Sequence, residues 1–181
     1  MLGTLKLELA TSRPDLLAAP VAAALEVWPA EALIDRDQVM VAPIDADLAD
    51  TAAFCEAYGV GLEESANCVI VAGRRGEATR YTACVVLATT RADVNGIVRR
   101  HLDARKASFA PMDDAVRLTG MEYGGITPIG LPPSWTVLVD ARVIAMPHVI
   151  IGSGVRHSKI AIPGPALGAL PGAEVIEGLA R

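Results

Sequence analysis

At 181 residues and 52% hydrophobic content, the chain can bury one sizeable core, which excludes a disordered polypeptide and makes a single domain the expectation. Aromatics contribute only 4%, so that core is built from aliphatic side chains. A net charge of −5 excludes a surface that is a nucleic-acid footprint throughout, because phosphate binding rests on Lys and Arg, although a local basic patch is still allowed.

In chain order, residues 4–9 alternate as a strand does, with Leu5, Leu7 and Leu9 against Lys6 and Glu8. Thr11-Ser12-Arg13-Pro14 offers a cap and a proline just inside a helix over residues 16–28, which Pro29 ends. A short strand over 38–42 and a helix over 47–58, stopped at Gly59, come next. The clearest β signal is the pair of apolar runs 68–72 and 81–87, joined by the glycine-bearing turn 73–76. Residues 91–95 open a helix whose Val94, Ile97, Val98 and Leu102 keep helical spacing. Then come a strand at 106–109, a helix starting at Pro111, and strands at 136–140, 148–151 and 159–162. A helical piece at 165–170 and a strand at 173–176 finish the chain. With no strict βαβ repeat, the pattern predicts an α+β fold with a mixed, partly barrel-like sheet flanked by helices.

Between the helix that ends at Gly120 and the strand at 136 lies a loop holding four glycines and three prolines over residues 120–133. Glycine lets a ligand approach the main chain and proline stiffens the backbone around it, so this loop can present amide N–H groups to an oxygen. An ordinary connection has the same composition.

Other constellations carry less. Gly152-Ser153-Gly154 lacks the third glycine of a dinucleotide fingerprint, His157 standing in its place. Cys55, Cys68 and Cys84 form no C-x-x-C pair, and His101, His148 and His157 share no ligand spacing, so no disulfide framework, metal or cofactor is expected. No G-x-S-x-G occurs, and Cys68 and Cys84 sit in apolar strands as core residues would. Basic segments are Arg74, Arg75 and Arg80, then Arg99, Arg100, Arg105 and Lys106, then Arg156 and Lys159, each of which alone reads as a solvated face. No apolar run reaches 18 residues, and residues 1–6 do not resemble a signal sequence; the expectation is a cytoplasmic protein with no membrane partner.

The segment Gly124-Gly125-Ile126-Thr127-Pro128 resembles the glycine-to-proline loop of YbaK/EbsC-like and prolyl-tRNA synthetase-associated editing domains, which hydrolyse wrongly charged aminoacyl-tRNA. Weaker matches run in family order: Asp50 to Phe54, Asp93 to Asn95, Met112 to Ala115, Val137 to Asp140, and Gly152 to Arg156. The likeness covers roughly residues 40–178, with 1–38 as an added strand and helix. The family carries a lysine before the first central strand, and Asn67 stands there in this chain.

The resemblance implies Asn67, Gly124, Gly125 and Thr127 as catalytic residues. It implies Ile126, Pro128, Thr51, Gly154, Arg156 and His157 as substrate-binding ones. Amides of residues 124–127 would hold an ester carbonyl while Thr127, Asn67 and His157 position water or the terminal ribose. The implied partner is the 3′ end of an aminoacyl-tRNA, foremost tRNA for proline, and not DNA; monomer and homodimer both stay open. Two functions stand side by side: a free-standing deacylase, or a homologue without turnover that binds an aminoacyl group, a tRNA end or a small ligand. A general esterase would need a dedicated nucleophile, which the sequence does not offer.

Overall fold

The computed structural model describes residues 2–28 and 35–181. Strand β1 (Glu8–Leu9) leads through 3₁₀ turns to α1 (Ala19–Glu26), which carries Pro20 in its first turn, where a missing N–H costs nothing. Then come β2 (Met40–Pro43) and α2 (Thr51–Tyr58), followed by the hairpin of β3 (Ala66–Arg75) and β4 (Ala78–Leu87). A π-helical turn (Val94–Val98) runs into α3 (Arg99–His101); the Asp93 carboxylate caps it by accepting from the Gly96 and Ile97 amides. The remainder is β5 (Lys106–Phe109), α4 (Met112–Thr119), β6 (Thr136–Asp140), α5 (Ala141–Ile144), β7 (Val149–Gly152), β8 (Ser158–Ile162), α6 (Gly164–Gly168) and β9 (Ala173–Ile176).

The strands form two sheets and do not close into a barrel. One is antiparallel, in the order β1-β2-β8-β7. The other, β5-β3-β4-β6-β9, is mixed: β5, β3 and β4 pair antiparallel, whereas β6 and β9 add in parallel. The fold is therefore the α+β arrangement with mixed pairing that the sequence predicts. The sheets meet where Ser65, just before β3, forms a parallel bridge with Ile150 of β7. That junction places the N-terminal end of β3 beside β7 and β8, and the candidate site lies there.

The largest apolar cluster packs side chains of both sheets, among them Val85, Val139, Ile151 and Ile160, against Leu17, Val21 and Leu25 of the N-terminal segment. A second covers the other face of the mixed sheet, where Val98 and Leu102 meet Val71, Cys84 and Leu138. A third holds α2 on the antiparallel sheet through Phe54, Cys55, Ile150 and Ala161. Burial of these aliphatic surfaces is the main favourable term for folding.

Three local readings change. The strand expected over residues 4–9 keeps only Glu8 and Leu9 in a ladder, because Thr4 donates to the carbonyl of Tyr58 and ties the preceding segment to the end of α2. The helix expected over 16–28 is split into a 3₁₀ turn and α1; Pro29, read as its stop, lies outside the described residues. Helix α5 is additional. Asp140 starts it, accepting from the Arg142 amide at 2.9 Å, from the Arg142 guanidinium, and from the Ala180 amide. Burial pushes this carboxyl up, and the hydrogen bonds from Arg142 and Ala180 outweigh it, so its pKa lies below the usual carboxylate value. Asp140 is thus committed to structure.

Candidate active site

The glycine-rich loop leaves α4 at Gly120 and is laced to the segment between β7 and β8. The Glu122 amide donates to the Gly154 carbonyl, the Gly154 amide donates to the Gly125 carbonyl, and the Gly125 amide closes a turn onto Glu122. Backbones come this close only without side chains: a Cβ on Gly125 would collide with Val155, and one on Gly152 with the Gly125 carbonyl. Gly124 has φ 85°, and the Arg156 guanidinium spans it, donating to the Tyr123 carbonyl at 3.3 Å and to the Ala46 carbonyl at 3.0 Å. Arg156 thus straps the loop to the turn before α2.

Beside the strap is a cleft of about 440 Å³, walled by α2, the start of β3, the end of β5, the glycine loop and the β7-β8 pair. This volume is in the range of small-molecule sites. Asn67, Thr51, Gly124 and Ile126 line it, so Asn67 and the glycine loop share a cavity. The Thr51 hydroxyl donates to the Asn67 side-chain oxygen at 2.8 Å. Among the described residues the Asn67 NH₂ meets no acceptor, and the amides of Gly124 and Ile126 donate to none. The Gly125 amide is taken by Glu122, and the Thr127 amide points at the Met121 sulfur at 3.5 Å.

Two charged side chains line the cleft, Asp50 and Lys159. Asp50 is exposed at the start of α2, and its carboxylate makes no capping bond. Lys159 is only 8% exposed; its Nζ donates to the Ala49 carbonyl at 2.8 Å and lies 5.3 Å from the centre of the Phe54 ring. Burial pushes the Lys159 pKa below the usual lysine value; Cys55 and Asp50 oppose this, while Arg156 adds to it. The sequence pattern groups Lys159 with Arg156 as a surface charge. The signal that singles it out is a lone cation in a strand, Ser158–Ile162, whose five residues are all buried.

The other expected site residues go elsewhere. Thr127 is fully buried and Pro128 is buried; neither lines the cleft, and the Thr127 hydroxyl has no hydrogen-bond partner among the described residues. Gly154, at φ 86°, lets the chain pass against Ala18 and Val21, so its role there is packing. His157 is exposed, with Nε2 3.4 Å from the Asp15 carbonyl. Cys68 lines the cleft, but burial pushes its thiol pKa up, away from the thiolate. Among the described residues no three His, Cys, Asp or Glu side chains gather as metal ligands, and no helix is long and apolar enough to cross a membrane.

The family model for the aminoacyl-tRNA editing domain matches residues 45–169, which includes α2, β3, the glycine loop and Lys159. The chain belongs to that family. Among solved structures, this editing domain is similar to a candidate trans-editing enzyme for prolyl-tRNA synthetase, at 21% identity and a TM-score of 0.72, covering 88% of this chain and 94% of that one. It is similar to the hypothetical protein APE2540 at 21% identity and a TM-score of 0.72, covering 87% and 99%. At such identities the likeness is one of fold. No curated protein matches the chain.

Proposed function

We propose that this editing domain hydrolyses the ester that joins an amino acid to the 3′ end of a tRNA. The observation that carries the reading is that one cleft of about 440 Å³ is lined by Gly124 and Ile126, whose amides donate to no group among the described residues, and also by Asn67 and the buried cation Lys159. Family membership supports it independently.

An aminoacyl ester needs no protein nucleophile. Water adds to the ester carbonyl, whose oxygen gains negative charge. The bond to the ribose oxygen then breaks and that oxygen takes up the proton given up by the added water, releasing the amino acid and a tRNA with a free terminal hydroxyl. Catalysis consists of placing the water and stabilising the oxyanion. The Gly124 and Ile126 amides bind that oxygen, and Lys159 supplies positive charge in a setting where burial weakens screening by water. Asn67, fixed by Thr51, uses its NH₂ to hold the water. Asp50 at the rim takes the substrate's α-ammonium. The resemblance to a candidate trans-editing enzyme for prolyl-tRNA synthetase favours tRNA for proline carrying a smaller or similar amino acid as the substrate.

A second reading is supported by one observation: Asn67 cannot ionise, unlike the lysine the family carries there. In that case the cleft binds the aminoacyl end without turning it over. Ester loss from a panel of mischarged tRNAs separates the two. A rate above buffer for at least one supports the deacylase, while binding with no rate above buffer, together with turnover gained in Asn67→Lys, supports the binding module.

A further inference from the structure

We propose that a second groove, which shares Phe109 with the cleft, is the track for the sugar-phosphate backbone of the RNA. Four cations line it: Arg74 on β3, Arg99 on α3, and Arg105 and Lys106 at the start of β5. Two of the basic segments that are separate in sequence become one surface because β3 and β5 pair antiparallel, with Arg74 opposite Lys106 and the Arg105 amide donating to the Arg74 carbonyl at 2.9 Å.

Three observations point to a polyanion. No carboxylate lines the groove. Among the described residues none of the four cations forms an ion pair within 4 Å, whereas neighbours are paired directly, Arg75 with Asp103 and Arg117 with Asp114. The hydrogen bond from Arg117 holds the Asp114 carboxyl below the usual value, and Arg74 is near enough to help. In a chain of net charge −5, four cations left unpaired in one groove give a local field opposite to that of the whole molecule. A lysine on the edge strand β5 also guards against sheet-to-sheet pairing, but that does not account for Arg74 and Arg99, which come from other elements.

The groove and the cleft also adjoin at one residue. Phe109 lines both and is 61% exposed, an aromatic face where a base can stack between a backbone held by arginines and an aminoacyl group in the cleft. Arg99 is preset by a bond from its Nε to the Asn95 carbonyl at 2.8 Å. The occupant is therefore single-stranded RNA ending in the esterified nucleotide. Naming the tRNA end rests on the proposed function; the polyanion track rests on the charges alone.

The test uses the full chain and a fluorescent RNA minihelix, an acceptor stem with an uncharged single-stranded CCA end, read by anisotropy across a salt series. Arg105→Ala/Lys106→Ala alters two exposed side chains outside the cleft. The expected result is a Kd raised about tenfold and a log Kd–log salt slope lowered by roughly 1.4, two contacts at about 0.7 each. Hydrolysis of an aminoacyl-adenosine ester, too short to reach the groove, stays unchanged. Phe109→Ala weakens minihelix binding by roughly tenfold with the salt slope intact, as loss of stacking rather than charge requires. A Kd and slope within twofold of wild type in the double variant overturn the track. Minihelix binding that tracks the groove variants in a protein with no ester hydrolysis supports the track and removes the deacylase instead.

Discussion

The Thr51 hydroxyl donates to the Asn67 carboxamide oxygen at 2.8 Å, linking the first turn of α2 to the start of β3 across the floor of the cleft. This bond fixes which end of the amide faces the ligand: the oxygen is occupied and the NH₂ is presented. Removing the amide in Asn67→Ala lowers kcat for ester hydrolysis by about 10²-fold with little change in KM, the loss typical of one positioned donor. Thr51→Val costs less, about tenfold, because Asn67 remains but turns freely. In a double-mutant cycle the two losses are less than additive; full additivity in steady-state kinetics contradicts the coupling.

Lys159 supplies a second prediction. Lys159→Met keeps the volume and removes the charge, and lowers kcat by roughly 10²-fold if the ammonium stabilises the oxyanion. The same variant has a pH signature. The folded-state pKa is pushed below the unfolded value near 10.5, so between the two the unfolded chain binds more protons. The destabilisation from burying the charge is full below the folded pKa and relieved as pH rises through it toward 10.5. Wild-type stability therefore rises relative to Lys159→Met over that alkaline window, measured by urea unfolding at several pH values. A constant difference would show that Lys159 is not desolvated.

Gly124→Ala tests the loop. Its φ of 85° is unfavourable for alanine by about 1–2 kcal/mol, and the added Cβ meets the Arg156 guanidinium, a flexible group that can move. Stability falls modestly and activity falls much more, because the free amide shifts. Gly152→Ala is worse for folding, since its Cβ meets the Gly125 carbonyl, which is backbone and cannot yield. Chemical denaturation ranks the two; equal effects would mean that the lacing of the loop is slack.

Much of this architecture is legible in the sequence because it is local. Strands 106–109, 136–140 and 173–176 coincide with β5, β6 and β9, and in β6 the apolar run Val137-Leu138-Val139 marks the strand directly. Asn67 and the glycine loop stand out through the family pattern, and they do line one cleft. The hidden part depends on tertiary placement. Lys159 looks like part of a basic surface with Arg156, yet the alternation of β8 and the bridge between Ser65 and Ile150 turn it into the cleft while Arg156 becomes a strap. Helix α5 escapes the pattern although Asp140 before Ala141-Arg142-Val143 is a cap signal, because the preceding strand dominates it.

Thr127→Val separates packing from catalysis. The Thr127 hydroxyl is fully buried and unpartnered among the described residues, so an isosteric methyl removes a desolvated polar group. The variant is expected to be as stable as wild type or more stable by about 1 kcal/mol, with unchanged deacylation. A loss of activity at full stability would return Thr127 to the catalytic set.

The central claim is that the cleft turns over an aminoacyl ester. Its most direct test is the loss of labelled amino acid from mischarged tRNA for proline, measured in parallel with wild type, Asn67→Ala and Lys159→Met at neutral pH. The account predicts hydrolysis above buffer by wild type and a drop of about 10²-fold in each variant. No hydrolysis by wild type across several amino acids, or equal rates in all three proteins, would contradict it.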